Sequence, residues 1–273
     1  METPVRIPAN APEAHITPVA AGTWFLQTSP ELSMKRLLAE GYSRIYQITK
    51  VFREGERGRH HLPEFTLLEW YRTGIDYGEM MTETEALIRW VASRVLDEER
   101  IIRDGRSIDL TAPWPRLTLA EAFARFADRS PEAALAEDRF EEILTDAVEP
   151  GLARFGRPVF LLDYPIAQGA LARRKPGQPD VAERFELYMG GLELCNAFSE
   201  LTDPDIQRRR FEAEVARLEA MDGTRPPIPE PFLASLGRMP AAAGNALGFD
   251  RLVMLLTGAS SIDEVVAFTP EML

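Results

Sequence analysis

The stretch RFELYMGGLELCNAFSELTD, residues 184–203, constrains the fold more tightly than any other part of the chain. Two runs of mixed apolar and acidic residues meet at Gly190-Gly191, and a glycine pair supplies the dihedral freedom that a two-residue hairpin turn needs. An antiparallel ribbon is therefore expected here. A regular two-residue turn sets Met189 opposite Leu192, Tyr188 opposite Glu193 and Glu186 opposite Cys195. Side chains alternate along a strand, so Glu186, Tyr188, Glu193 and Cys195 fall on one face. Glu186 and Glu193 become diagonal neighbours about 7–8 Å apart at the backbone. Two carboxylates so placed repel unless a cation lies between them. Mg²⁺ held by one or two carboxylates together with substrate phosphates is the usual nucleotide arrangement. The competing reading is a solvated sheet face, against which stand Tyr188 and Cys195.

A second ribbon is written in RIYQITKVFR, the polar loop EGERGRHHLP and EFTLLEWYR: strand, charged tip, strand. Arg53 leaves the first strand, and Arg57 and Arg59 lie in the tip. An arginine on a rigid strand end presents a fixed fork to a phosphate, and the tip arginines are placed to close over a polyphosphate. A charged surface turn is the alternative, but it leaves Glu64, Glu69 and Tyr71 unexplained in an otherwise apolar strand.

Helices separate these strands. SPELSMKRLLAEG opens with Ser29 as cap, Pro30 at the first position and Glu31 in the first turn, and stops at Gly41. Asp76 caps a helix with Leu87, Ile88, Val91 and Val95 on one stripe, and Asp203-Pro204 opens another. PVFLLDYP reads as a buried strand, and GNALGFDRL as the lead into a last helix. Residues 98–155 are expected to form a helical insertion of two or three short helices, one with a Thr118/Glu121 capping box, and no chemistry is apparent in it. The result is an α+β pattern rather than alternating parallel units. Neither GxxxxGK[ST] nor a strand-linked GxGxxG occurs, so a nucleotide must be held another way.

Composition narrows the chemistry. The single cysteine, Cys195, excludes an internal disulfide and a cysteine-rich zinc site, and His15, His60 and His61 lack metal-ligand spacing. A net charge of −12 argues against a large RNA-binding face. No apolar run approaches the roughly 18 residues of a membrane span, and no signal peptide is visible, so a cytoplasmic protein with no membrane partner is expected.

Arg53, Glu186, Glu193 and Arg251 together resemble motifs 2 and 3 of a class II aminoacyl-tRNA synthetase. TSPEL, RHHLPEFTLLEWY, LCNAFSELTD and GNALGFDRL are similar, in order, to segments of lysyl-tRNA synthetase. TSPELSMKRLL, PEFTLLEWYR and ALGFDRLVMLLTGASSIDEVVAF are more similar still to the lysyl-tRNA-synthetase-like ligases that modify elongation factor P. The resemblance implies a six-stranded antiparallel sheet flanked by helices, one catalytic domain over residues 1–273, and no anticodon-binding domain. It implies ATP and Mg²⁺, with Arg53 on the α-phosphate, Arg251 on the γ-phosphate, and Glu186 and Glu193 on the metal. Glu56, His61, Phe65, Glu193, Leu194 and Gly248 complete the implied nucleotide set. Ser29, Pro30, Glu31, Glu69, Tyr71, Asn196, Phe198, Glu200 and Ala246 form the implied amino-acid pocket. Several carboxylates around a small cavity suit a substrate with two ammonium groups, lysine or β-lysine. The implied acceptor is elongation factor P rather than tRNA.

Three positions depart from the family pattern. Gly55 stands where motif 2 has an acid, so Glu56 is expected to reach the adenine side. Leu62 replaces an asparagine. METP is similar to the end of motif 1, whose interface helix would lie upstream of Met1, which bears on a homodimer. Ala246 stands where synthetases for α-lysine have glycine, and its methyl is expected to favour (R)-β-lysine. A lysyl-tRNA synthetase fragment and a catalytically silent, ligand-binding paralogue are the alternative readings.

Overall fold

A computed structural model describes residues 1–103 and 105–273. Short strands β1 (Arg6–Ile7), β2 (Ala20–Ala21) and β3 (Trp24–Leu26) make a small sheet ahead of helix α1 (Glu31–Ala39). Pro30 takes the cap position of α1. Ser29, one residue earlier than the cap, still accepts the Glu31 N–H at 2.9 Å. The first long hairpin is β4 (Arg44–Phe52) and β5 (Glu64–Thr73). It leads into α2 (Tyr77–Val95), whose cap Asp76 forms a reciprocal box with Glu79.

Residues 98–155 are not wholly helical. They open with β6 (Arg100–Arg103) and β7 (Arg106–Asp109), which pair antiparallel, followed by β8 (Arg116–Thr118). Four short helices follow: α3 (Leu119–Phe126), α4 (Pro131–Ala136), α5 (Phe140–Ile143) and α6 (Glu149–Leu152). The Thr118/Glu121 capping box of α3 is present. Phe123, Phe140, Val148 and Leu152 pack onto Val159, Leu161, Tyr164 and Tyr188, so the segment has its own core against one end of the main sheet.

The remaining elements are β9 (Val159–Pro165), β10 (Arg174–Lys175), β11 (Gln178–Met189), β12 (Leu192–Ser199), α7 (Pro204–Asp222), α8 (Glu230–Leu236), β13 (Ala242–Gly248) and α9 (Phe249–Thr257). The main sheet runs β4-β5-β13-β12-β11-β9-β8, with β10 beside β11. Its six strands from β4 to β9 are antiparallel, as expected, and β8 extends them by a parallel pairing with β9.

Of the central strands of the main sheet, the one missed in the sequence is β13. AAGNALG has little intrinsic strand preference, yet it lies between β5 and β12 and pairs with both over nearly its whole length. The glycines of GNALGFDRL therefore belong to a central strand, and the helix begins only at Phe249. Small residues are needed there. A Cβ on Gly244 would stand 2.2 Å from the Tyr71 ring and 2.6 Å from Glu200 Oε1. One face of the sheet buries Trp70, Phe160, Phe185, Leu187 and Leu247 with Met80, Ile88 and Leu255 from α2 and α9. The opposite face opens, over its central strands, on a cavity of about 790 Å³.

Candidate active site

The floor of the cavity is two transverse rows of the sheet. Glu69, Ala246, Asn196 and Glu186 face one another across β5, β13, β12 and β11. Tyr71, Gly244, Phe198 and Arg184 form the next row. Opposed residues on neighbouring strands point to the same face, so these eight side-chain positions share the cavity side.

The rows depend on an irregularity in the β11–β12 ribbon. The turn is as expected, with Met189 opposite Leu192 and Tyr188 opposite Glu193, but the register then shifts between Leu187 and Tyr188. Leu187 pairs with Cys195 and Glu186 with Asn196, so the expected Glu186–Cys195 pairing is wrong by one residue. A bulge at Leu194 absorbs the extra residue and reverses the alternation beyond it. Cys195 consequently joins the core on the other face, where burial pushes its thiol far up, while Glu193 and Asn196 both keep to the cavity side.

At the acidic end, Glu69 is fully buried and receives the Ser29 hydroxyl at 2.6 Å and the Tyr71 hydroxyl at 3.0 Å. Burial, reinforced by the Glu31 charge, raises its carboxyl to about 7. Ser29, Glu31, Glu69, Tyr71, Asn196, Phe198 and Ala246 all line the cavity. Two expected members do not. Pro30 is buried as the cap residue of α1, and Glu200, 1% exposed, lies beneath the lining. Glu200 instead contacts the ammonium of Lys35 at 2.5 Å, and burial raises its carboxyl to about 8 even against that cation.

At the other end stand the two motif arginines. Arg53 lies over the Phe65 ring at 5.1 Å and within 3.7 Å of Glu56. Arg251 donates to the Glu193 carbonyl at 2.7 Å, to its carboxylate at 3.3 Å and to the His60 carbonyl at 3.3 Å, with His61 Nε2 2.6 Å away. Burial and the Arg251 charge push the His61 pKa down, favouring the neutral ring that can accept from the guanidinium. Leu194 and Gly248 also line this end. Glu186 is enclosed: Tyr164 and Tyr188 donate to Oε2 at 2.5 and 2.8 Å, and Arg184 to Oε1 at 2.6 Å. Burial outweighs Arg184, and together with the Glu193 charge it raises the Glu186 carboxyl.

The tip arginines behave otherwise than expected. Arg57 binds Glu271 and Asp263 at 2.8 and 2.9 Å, and Arg59 donates to the Ser260 carbonyl at 2.7 Å, so the tip is tied to the C-terminal segment. The two departures in this loop have structural reasons. Gly55 adopts a φ of 77°, a left-handed turn that an acid would strain. Leu62 is buried with Met254, Ala259 and Ile262 under the end of α9.

Several residues at the site escaped the sequence reading. Arg184 lines the cavity, donates to Asn196 at 3.0 Å and stacks over Tyr164 at 4.4 Å. Its place two residues before Glu186 on one strand was a usable signal. Glu149, from the segment thought to carry no chemistry, lies 3.2 Å from the Tyr188 hydroxyl, and burial raises its carboxyl to about 7. Gln207 on α7 lines the cavity at 1% exposure, with neither amide atom hydrogen-bonded among the described residues. Glu13 is brought over the cavity by the N-terminal segment, and nothing local in the sequence announces that.

Among the described residues no helix is long and apolar enough to cross a membrane. Residues 1–272 match the family model described as tRNA synthetases class II (D, K and N). The chain is 40% identical over 264 residues to a lysine–tRNA ligase of Moorella thermoacetica, covering 89% of this chain and 54% of that protein. It is likewise 40% identical over 258 residues to an elongation factor P–(R)-β-lysine ligase of Vibrio vulnificus, covering 89% of this chain and 77% of that protein. A similar ligase of Vibrio cholerae is 40% identical over 249 residues, covering 89% of this chain and 76% of that protein. The chain thus spans about half the length of the lysine–tRNA ligase and about three-quarters of the elongation factor P ligases. By its match over nearly all its length, the chain belongs to the class II tRNA synthetase family of the D, K and N type.

Proposed function

We propose that this protein uses ATP to activate the carboxylate of a lysine isomer and transfers the acyl group to the ε-amine of a lysine on elongation factor P. One observation carries the reading: Arg53, Arg251, Glu186 and Glu193 open on the same cavity whose far end is lined by Glu31, Glu69 and Tyr71. A phosphate-binding end and an ammonium-binding end in one space suit an amino acid joined to a nucleotide.

In the first step the substrate carboxylate attacks the α-phosphorus. A C–O–P bond forms, the bond to the β-phosphate breaks, and pyrophosphate leaves. The carboxylate is already ionised, so the protein's work is alignment and charge neutralisation. Arg53 serves the α-phosphate and Arg251 the γ-phosphate, with Glu56, His61 and Phe65 on the nucleotide side. Glu186 and Glu193 would hold Mg²⁺: they are two carboxylates on one face, the Glu193 charge adds to the cost of ionising Glu186, and Glu193 is the more open, at 38% exposure. When bound, the ion would neutralise phosphate charge. In the second step the acceptor amine attacks the acyl carbon and AMP leaves. That amine, with a reference pKa of about 10.4, must first lose a proton.

Ala246 lies in the floor directly between Glu69 and Asn196. Its methyl takes space that an amino group on the α-carbon would use, so (R)-β-lysine is the proposed substrate. Pyrophosphate exchange with both isomers, then mass spectrometry of elongation factor P after incubation, tests the reading. Exchange with neither isomer overturns it. The equal identity to a lysine–tRNA ligase supports a second reading, charging of tRNA. A tRNA aminoacylation assay separates the two.

A further inference from the structure

The chain has only three lysines, Lys35, Lys50 and Lys175, against 28 arginines. One of them is among the most deeply buried side chains in the protein: Lys35 is 1% exposed. A lysine pays for such burial only when its charge is met. Its ammonium donates to Glu31 Oε1, one turn earlier on α1, and contacts Glu200 Oε2 at 2.5 Å. It also lies 4.8 Å from the centre of the Phe198 ring, whose π face attracts a cation. Lys35 and Glu200 sit just beneath the cavity lining, whereas Glu31 and Phe198 belong to it.

We propose that Lys35 is the positioning counter-ion of the amino-acid pocket: clamped between Glu31 and Glu200, it holds Glu31 toward the cavity and so sets the pH range over which the pocket takes up a substrate ammonium. The proposal rests on the reading of this cavity as a site for a lysine isomer. The groups around Lys35 are Glu31 from α1, Glu69 and Tyr71 from β5, and Glu200 after β12, with Glu13 acting on Glu31 from the N-terminal segment. Four of these five are carboxylic acids, and Lys35 is the cation buried among them. Burial works against its charge, but Glu200 and Glu31 outweigh that and hold its pKa above the ordinary lysine value. Among the described residues Glu200 Oε1 and both Gln207 amide atoms lack a hydrogen bond, which leaves polar capacity for an incoming group.

Removing a positive charge raises the pKa of neighbouring acids, typically by about one to three units when the charge is this close. Calorimetric titration with L-lysine and (R)-β-lysine, without ATP, from pH 6 to 8.5, where both substrate amines stay protonated, reads this directly. Affinity of the wild-type protein should climb as the pocket acids ionise. Lys35→Met should move that climb upward by about one pH unit or more, giving roughly tenfold weaker binding at pH 7 and a gap that narrows toward pH 8.5. Lys35→Arg should keep the wild-type profile. A Lys35→Met profile parallel to or coincident with wild type overturns the role, because a purely structural defect weakens binding equally at every pH. No binding by wild type at any pH overturns the ligase reading and this role with it.

A measurement on the wild-type chain covers the case in which Lys35→Met does not fold. With ¹⁵N-labelled lysine only three side-chain ammonium signals exist, and Lys35 should give one protected from water exchange, shifting on addition of unlabelled (R)-β-lysine. A protected signal that ignores bound (R)-β-lysine, or no protected signal, sinks the proposal.

Discussion

Arg53, at the end of β4, and Arg251, in the first turn of α9, line one cavity although they come from opposite ends of the chain. Each is held before any ligand arrives, Arg53 by Phe65 and Glu56, Arg251 by Glu193, His60 and His61. Preset guanidinium forks need little rearrangement as phosphate charge shifts. Arg53→Ala and Arg251→Ala should each lower pyrophosphate exchange about 10²–10³-fold with little change in melting temperature. Arg251→Lys should not rescue, because a point charge cannot reproduce the fork.

Ala246→Gly removes the methyl from the row between Glu69 and Asn196. One methyl in a tight pocket is worth about tenfold or more in discrimination. The ratio of exchange rates for L-lysine over (R)-β-lysine should rise by about that factor. An unchanged ratio removes Ala246 from the account of specificity.

Gly244→Ala tests the opposite change two residues earlier. The added carbon meets the Tyr71 ring at 2.2 Å and Glu200 Oε1 at 2.6 Å, so both must move. Overpacking of this kind costs about 1–3 kcal/mol. Lysine binding should fall at least about tenfold, read by calorimetry alongside a thermal melt that confirms folding.

The pH dependence of stability follows from four enclosed acids, Glu69 and Glu200 buried and Glu13 and Glu149 half-buried. Folded-state values of about 7 for Glu13, Glu69 and Glu149 and about 8 for Glu200 all stand above the ordinary 4.5. The folded chain therefore binds more protons than the unfolded one through neutrality, and stability is lost as pH rises. His60, pushed down to about 4 by burial and by Arg103, works in the other direction, but only below its ordinary 6.5. The melting temperature of the free protein should fall by several degrees between pH 6.5 and 8.5. Saturating (R)-β-lysine should flatten that fall by supplying a cation to the ionised acids. A melting temperature that rises across this window contradicts the assigned burial.

Local rules made much of this legible. Asp76, Thr118 and Asp203 are the caps expected from their spacing, and Gly190-Gly191 is the turn. What failed did so where tertiary context overrode local preference. AAGNALG became a strand because two neighbouring strands offered it a full ladder. The bulge at Leu194 left no mark in composition, and it reversed the side on which Cys195 and Asn196 lie. Arg53, Arg251, Glu186 and Glu193 were each identifiable, yet their convergence is a property of strand order. Lys35 and Gln207 look like ordinary helix-surface residues until α1 and α7 are docked.

The Tyr188 hydroxyl carries one hydrogen and faces two carboxyl groups, Glu186 on its own strand and Glu149 from the inserted segment. With both acids ionised, that hydrogen can serve only one of them well, and the other is left facing oxygen lone pairs. With Glu149 protonated the conflict disappears, since Glu149 then donates to the tyrosine oxygen and the tyrosine hydrogen goes to Glu186. A single proton on Glu149 thus ties the inserted segment to the hairpin, through a tyrosine that cannot serve two ionised carboxylates at once.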